Sequence, residues 1–242
     1  MACLAVVLAS GSGQRFEAKG IPKHLITVLD VPVIVWTLNA IKMSDLFSEV
    51  VVVTRKQDLE ETKRIIEEYI PEISLFIHFT SGSSDRTQSF NLGFKYLKTK
   101  KIVDSNSIVA LFDANRPLTP KQQLIDLCNV AKDAGCSCPA RPVINGVAKV
   151  KQNEIIAVPE KSNYSEFVTP EFISLKHFDE NKINFLDGFN CFVEYALHKG
   201  VNPYTIPASS FNVKLTYPED KTYLEGLALD HCLLKPDRII KK

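Results

Sequence analysis

Leu4-Ala-Val-Val-Leu-Ala9, followed at once by Ser10-Gly11-Ser12-Gly13-Gln14-Arg15 and then by Pro22-Lys23, decides how this chain is read. A short unbroken apolar run has the character of a strand buried on both faces of a parallel sheet. Two glycines directly after it let the backbone turn sharply and bring N–H groups up to an anion. Arg15 and Lys23 add two fixed positive charges near that turn. Glycines alone would also suit a tight turn with solvated basic neighbours. Combined with Arg15 and Pro22-Lys23, they answer the needs of a bound polyphosphate. No Gly-Lys-Ser/Thr closes the loop, so it is not a Walker loop. Phe16 stands where Gly-x-Gly-x-x-Gly needs its third glycine, and no acidic ribose partner follows, which argues against a dinucleotide-dependent dehydrogenase.

Working outward, strand and helix patterns alternate. Val33–Ile41 has helical apolar spacing, Glu49–Thr54 reads as a second buried strand and Gln57–Tyr69 as a charged helix. Ile73–Phe79 is expected as a third strand, Ser84-Asp85 as the cap of a helix reaching Leu97, Ser107–Phe112 as a fourth strand ending at Asp113, and Pro120–Ala134 as another helix. This alternation predicts an α/β fold, a mostly parallel sheet with helices on both faces. Residues 139–159 break the rhythm. Val147–Lys151 and Ile155–Val158 flank Gln152-Asn153-Glu154, which predicts a β-hairpin arm at about residues 139–160. One apolar face suits a dimer contact, and a strand pair closing the sheet fits nearly as well. Asn202–Ile206 and Asn212–Thr216 read as strands, and Pro218 as the first turn of a last helix. The whole of 1–242 is read as one domain.

Composition narrows the function classes. The chain is 45% hydrophobic and 24% charged, enough for one sizeable core, and its formal charge of +1 gives no general attraction to nucleic acid or to an anionic membrane. Anion binding must therefore come from local clustering. No apolar run is long enough for a membrane span, and Met1-Ala-Cys3 leads into a strand without the basic start of a signal peptide, which predicts a cytoplasmic protein. Six dispersed cysteines, with Cys136-Ser-Cys138 the one close pair, read as reduced thiols rather than a zinc site.

Three strand ends carry polar residues beyond what a turn needs. The Gly11–Arg15 loop with Lys23 is the first. The second is Ser81-Gly-Ser-Ser-Asp-Arg-Thr-Gln-Ser89, where small residues at Gly82 admit a flat base and Arg86 and Ser89 lie one helical turn apart. A helix cap with a salt bridge is the plainer reading of that segment. The third is Asp113-Ala-Asn-Arg-Pro117, where a carboxylate at a buried strand tip suits Mg²⁺ and Arg116 suits a brace for the loop or the carboxylate. Asp113 as a simple cap is the alternative there. Lys214, in Asn212-Val-Lys-Leu-Thr216, reads as an inward lysine facing a phosphate, or else as a surface residue.

With these segments in order, the chain resembles the cytidylyltransferases that make CDP-alcohols, the family of the 2-C-methyl-D-erythritol 4-phosphate and ribitol 5-phosphate enzymes. The resemblance runs from about Ala5 to Leu227 and includes Asp85-Arg-Thr-Gln-Ser-Phe-Asn-Leu-Gly93, Val168-Thr-Pro-Glu-Phe172 and Asn212-Val-Lys-Leu-Thr-Tyr-Pro-Glu-Asp220. It implies a Rossmann-like nucleotidyltransferase fold, a homodimer built through the arm, and CTP with Mg²⁺ as cosubstrates. Arg15 and Lys23 match the pair that neutralises the triphosphate. Gly11, Ser12, Gly13, Gly82, Arg86 and Ser89 fall on the nucleotide side, Asp113 at the metal-binding aspartate, and Thr169 and Lys214 near the acceptor phosphate and the reacting phosphoryl group. Lys161 takes the slot of an arginine that reaches the acceptor phosphate across the dimer.

The departures gather on the acceptor side. Asn115 replaces an alanine or valine, Val158-Pro-Glu-Lys161 replaces Thr-Val-Asp-Arg, and Gly146-Val-Ala-Lys149 replaces Asp-Thr-x-Lys, so a bidentate clamp becomes a point charge. Two alternatives stand beside this reading. One is a CMP-acid-sugar synthetase, in which a sugar hydroxyl attacks; the other is a catalytically silent nucleotide-binding homologue.

Overall fold

The computed structural model describes residues 2–11, 21–178 and 188–230. Among them, strand β1 (Cys3–Ala9) lies inside an eight-stranded sheet. Its neighbours β4 (Glu49–Thr54) and β6 (Ile108–Asp113) both run parallel to it, and β5 (Ile77–Ser81) extends the β4 side, also in parallel. Beyond β6 the direction reverses. β11 (Glu171–Ser174) is antiparallel to β6, and β7 (Cys136–Pro142) is antiparallel to β11, so β7 points the same way as β6. β10 (Ser165–Phe167) lies antiparallel along the end of β7, while β12 (Tyr204–Pro207) pairs with β7 in parallel.

The three central strands are apolar between their ends because both of their faces are covered. Cys3, Ala5, Val7, Val50, Val52, Ile108, Ala110 and Phe112 enter one buried cluster. Leu4, Val6, Val51, Val53, Val109 and Leu111, alternating with them, enter the other. The first face carries α1 (Val33–Ser44), α2 (Leu59–Tyr69), α4 (Lys121–Ala134) and α6 (Pro218–Asp230). The second carries α3 (Arg86–Thr99) and α5 (Phe192–His198). A small hairpin of β2 (Thr27–Val28) and β3 (Val31–Pro32) leads into α1, and the Trp36 indole N–H donates to the Val28 carbonyl across it at 3.0 Å. The predicted arm is present as β8 (Lys149–Lys151) and β9 (Glu154–Ala157). Gln152 and Asn153 both hold positive φ between them, as a two-residue hairpin turn requires. The arm leaves the body later than the sequence implies, since Pro139 and Ala140 are buried in β7.

Two expected strands differ. The third begins at Ile77, because Pro71–Leu75 forms a 3-10 turn that buries Ile73 without any ladder. Residues 212–216 are extended but not a strand. Their partner is Asn115, whose carbonyl accepts from the Leu215 N–H at 2.9 Å and whose side-chain amide donates to the Leu215 carbonyl.

The chain runs from β1 out through β4 to β5 and then returns to β6 on the other side of β1. The carboxyl ends of β1 and β6 therefore border a switch-point crevice, where ligands of open α/β sheets bind. Close helix–sheet packing supports that edge. A Cβ added at Gly93 on α3 would lie 2.7 Å from Val53 Cγ2 and 2.9 Å from Val6 Cγ1. Both neighbours are β-branched residues of the sheet and cannot swing away. Gly93→Ala is expected to destabilise the protein by about 1–3 kcal/mol, read as a lower urea midpoint; an unchanged midpoint would refute the packing argument.

Candidate active site

Asp113 ends β6 and is 7% exposed. Its Oδ1 accepts from the Arg86 guanidinium at 2.9 Å. Its Oδ2 accepts from Lys214 Nζ at 2.8 Å and from the Thr169 hydroxyl at 3.1 Å, with Arg116 Nε 3.6 Å away. Burial alone would raise the carboxyl's pKa, but the charges of Arg86, Lys214 and Arg116 outweigh it and hold Asp113 well below the usual carboxylate range. Three cations surround one carboxylate, so the cluster carries surplus positive charge at the carboxyl edge of the sheet.

Each cation comes from a different element. Arg86 opens α3, whose N-cap Asp85 accepts from the Gln88 N–H at 2.7 Å, and its second guanidinium nitrogen donates to the Asn190 carbonyl at 3.1 Å. Lys214 is presented by the extended segment that Asn115 pins. Arg116 follows Asp113 by three residues and donates to the Asn212 carbonyl at 3.1 Å. Asn212 is fully buried and donates from Nδ2 to the Thr169 carbonyl at 2.8 Å, which joins the Thr169 segment to the Lys214 segment. Asn212 and Asn115 escaped the sequence reading as tethers. Their only signal was their place beside Lys214 and Asp113.

Gly82 fits its expected small-residue role, but for a packing reason. A Cβ there would lie 2.9 Å from both Ser89 Oγ and Val53 Cγ1. Ser89 is fully buried. Its hydroxyl donates to the Ser83 carbonyl at 2.9 Å and accepts from the Ser83 N–H at 3.0 Å. That leaves the Ser10 hydroxyl, 2.9 Å away, to donate to it. Ser89 thus clips the end of β1 to the Gly82 loop and does not present its hydroxyl to a base. Nor does it share a ligand with Arg86, which turns to Asp113.

Gly11 is exposed directly after β1, while Ser12, Gly13 and Arg15 lie outside the described residues. Lys23 is half-buried at the start of a 3-10 turn, Lys23–Leu25. The neighbouring His24 anchors that turn by a 2.8 Å hydrogen bond to the Thr62 hydroxyl on α2. Burial pushes the His24 pKa down to about 4. Lys161 is exposed, opens the 3-10 turn Lys161–Asn163 after the arm, and donates to the Ile144 carbonyl at 3.1 Å.

Magnesium was expected on Asp113. Both carboxylate oxygens are committed to cationic donors, and no group of three metal-ligating side chains exists among the described residues. A resident divalent cation does not fit this donor set, because it would sit against three positive charges. Of the cysteines, Cys3, Cys136, Cys138 and Cys191 are buried free thiols and Cys128 is a half-buried one, while Cys232 lies outside the described residues.

The sequence model of 2-C-methyl-D-erythritol 4-phosphate cytidylyltransferase matches residues 3–228. The chain belongs to that family of CTP-dependent nucleotidyltransferases. Among its relatives, the 2-C-methyl-D-erythritol 4-phosphate cytidylyltransferase of Shouchella clausii is 28% identical over 92% of this chain and 95% of its own. The ribitol-5-phosphate cytidylyltransferase of Lactiplantibacillus plantarum is 22% identical over 71% of this chain and 73% of its own. In fold, the chain superposes on a crystal structure of 4-diphosphocytidyl-2C-methyl-D-erythritol synthase with a TM-score of 0.76 at 19% identity, covering 93% of this chain and 98% of that one. The corresponding synthase of Anaerococcus prevotii gives 0.72 at 19% identity, covering 94% and 96%. No helix among the described residues is long and apolar enough to cross a membrane.

Glu171 is the titratable group that sequence reasoning overlooked. It is 2% exposed and accepts from the Val193 N–H at the start of α5 at 3.2 Å. Burial raises its pKa from 4.5 to about 7, against the pull of Arg86. The folded value lies above the unfolded one, so stability is complete below 4.5 and drains as pH rises towards about 7. Glu171→Gln removes that loss. We expect the variant to exceed the parent in urea stability by about 1–3 kcal/mol at pH 8 and to match it at low pH. An equal difference at both pH values would contradict the assignment.

Proposed function

We propose that the protein transfers CMP from CTP to the phosphate of a small polyol phosphate, releasing pyrophosphate and a CDP-alcohol. An oxygen of the acceptor's phosphate attacks the α-phosphorus in line. A new P–O bond forms as the bond to the β-phosphate bridge breaks, and pyrophosphate leaves with the electron pair. The attacking oxygen is already anionic near neutral pH, so no strong general base is needed. What is needed is shielding of two mutually repelling phosphates and of charge growing on the leaving group.

One observation carries the reading: Arg86, Lys214 and Arg116 converge on Asp113 beside the β1 crevice. Asp113 gathers these cations and Thr169 through protein contacts alone, the kind of preorganisation that spares reorganisation during reaction. Gly11, Ser12 and Gly13, with Arg15 and Lys23, would hold the triphosphate, and the Gly82 loop would receive the cytosine. Lys214 and Thr169 would meet the incoming phosphate. Magnesium would enter with the nucleotide, as a counter-ion on the triphosphate oxygens. A reaction fed by CTP belongs with the cytoplasmic nucleotide pool.

Pyrophosphate release from CTP, assayed with ribitol 5-phosphate and with 2-C-methyl-D-erythritol 4-phosphate, tests the proposal; turnover of neither would refute it. In the same assay Lys23→Ala should retain its circular dichroism spectrum and lose at least roughly a hundredfold in turnover. Near-normal turnover would remove Lys23 from the mechanism.

We also assign dimerisation to the arm, where Val150, Ile155, Ile156 and Val158 are 57%, 66%, 50% and 74% exposed. Such an apolar array is unsuited to water and matches a second copy of the chain. Ile155→Asp should shift the protein from dimer to monomer in sedimentation equilibrium. A wild type that is already monomeric would overturn the assignment.

A further inference from the structure

The carboxyl edge of the sheet continues past Asp113. β7 points the same way as β6 and is separated from it by β11, which places the end of β7 roughly 10 Å along the edge. Arg141 stands there, paired with Glu166 of β10. Its Nε is buried without a hydrogen-bond acceptor, and the Glu166 carboxylate, 62% exposed, stands off at 3.6 Å. Arg116 reaches towards the same region, and its Nε is likewise buried without an acceptor. The two guanidinium groups sense each other: burial pushes the Arg116 pKa down, Asp113 raises it and the charge of Arg141 lowers it further. Two like charges, each with a buried Nε that makes no hydrogen bond and a carboxylate standing off at 3.6 Å, suit an anion with better-placed acceptors.

The position of this pair is informative. Gly11 and Gly82 follow β1 and β5, on one side of Asp113. Arg141 lies on the other side, past Thr169, where a second substrate would approach. Lys161, by contrast, spends its amine on the Ile144 carbonyl.

We propose that Arg116 and Arg141 form an anion subsite that holds the acceptor's phosphate monoester within the same subunit, with Arg141 as an acceptor-binding residue. This deepens the cytidylyl-transfer reading and rests on it. A forked guanidinium presents two parallel N–H donors to phosphate oxygens, and the Arg116–Arg141 pair matches a dianion in charge.

The experiment compares wild type, Arg141→Met and Arg141→Lys. Methionine keeps an unbranched apolar stem and removes the charge, and thermal melts confirm folding. Steady-state kinetics with ribitol 5-phosphate and 2-C-methyl-D-erythritol 4-phosphate should show the acceptor KM of Arg141→Met raised about tenfold or more, partly restored by lysine, with CTP affinity within about twofold of wild type. An unchanged acceptor KM, or an equal loss of CTP affinity, would overturn the subsite. Calorimetric titration with inorganic phosphate decides the matter even if wild type turns over neither acceptor, a result that would defeat the cytidylyl-transfer reading instead. Phosphate binding weakened about tenfold in Arg141→Met supports the subsite, and equal binding refutes it.

Discussion

The architecture of the site turns on one buried carboxylate whose neighbours are nearly all positive. Asp113 is the group on which α3, the loop after β6, the segment before β11 and the extended segment after β12 all converge. Apart from Arg116, three residues on, these contacts are distant in sequence; Lys214 lies 101 residues from Asp113. A buried carboxylate survives ionised only when compensated, and the cations are tolerated side by side only because it stands between them. Removing the carboxylate would leave three like charges facing one another across the crevice.

A second layer of neutral tethers sets the geometry of the first. Asn115 pairs with Leu215 on both backbone groups, Asn212 binds the Thr169 carbonyl, and Ser89 joins Ser10 to the Gly82 loop. These groups are buried and satisfied, so each fixes a backbone position without adding charge. The asparagine at position 115 thereby has a physical role. It supplies the pairing that a regular strand at residues 212–216 would otherwise have provided.

The fold was readable because the central strands are covered on both faces, which leaves unbroken apolar runs at β1, β4 and β6. Where the cover is not a ladder, the pattern misled. Val213 and Leu215 alternate with Asn212 and Lys214 like a strand, yet the segment is held by Asn115, through its carbonyl and its side chain, and by the side-chain bonds of Asn212 and Lys214. The Asp113 cluster was readable in part, since Asp113, Thr169 and Lys214 stand in segments whose order resembles a known family. Ser89 looked like a ligand contact because burial cannot be seen in a serine-rich helix start. Arg141 gave no signal, and Glu171 stood inside the quoted Val168–Phe172 segment without any sign of its burial. A lone arginine or glutamate in a short strand has the same letters whether it faces water or a crevice.

The reversal of strand direction beyond β6 has a consequence for how such a site can change over evolutionary time. Everything on the β1, β4 and β5 flank is parallel and supplies strand ends, whereas the opposite flank mixes the end of β7 with the entry to β11. The two flanks draw on separate stretches of polypeptide that meet at Asp113 and again where Arg86 bonds the Asn190 carbonyl. A change on either flank is therefore felt by the other chiefly through the charge balance around Asp113.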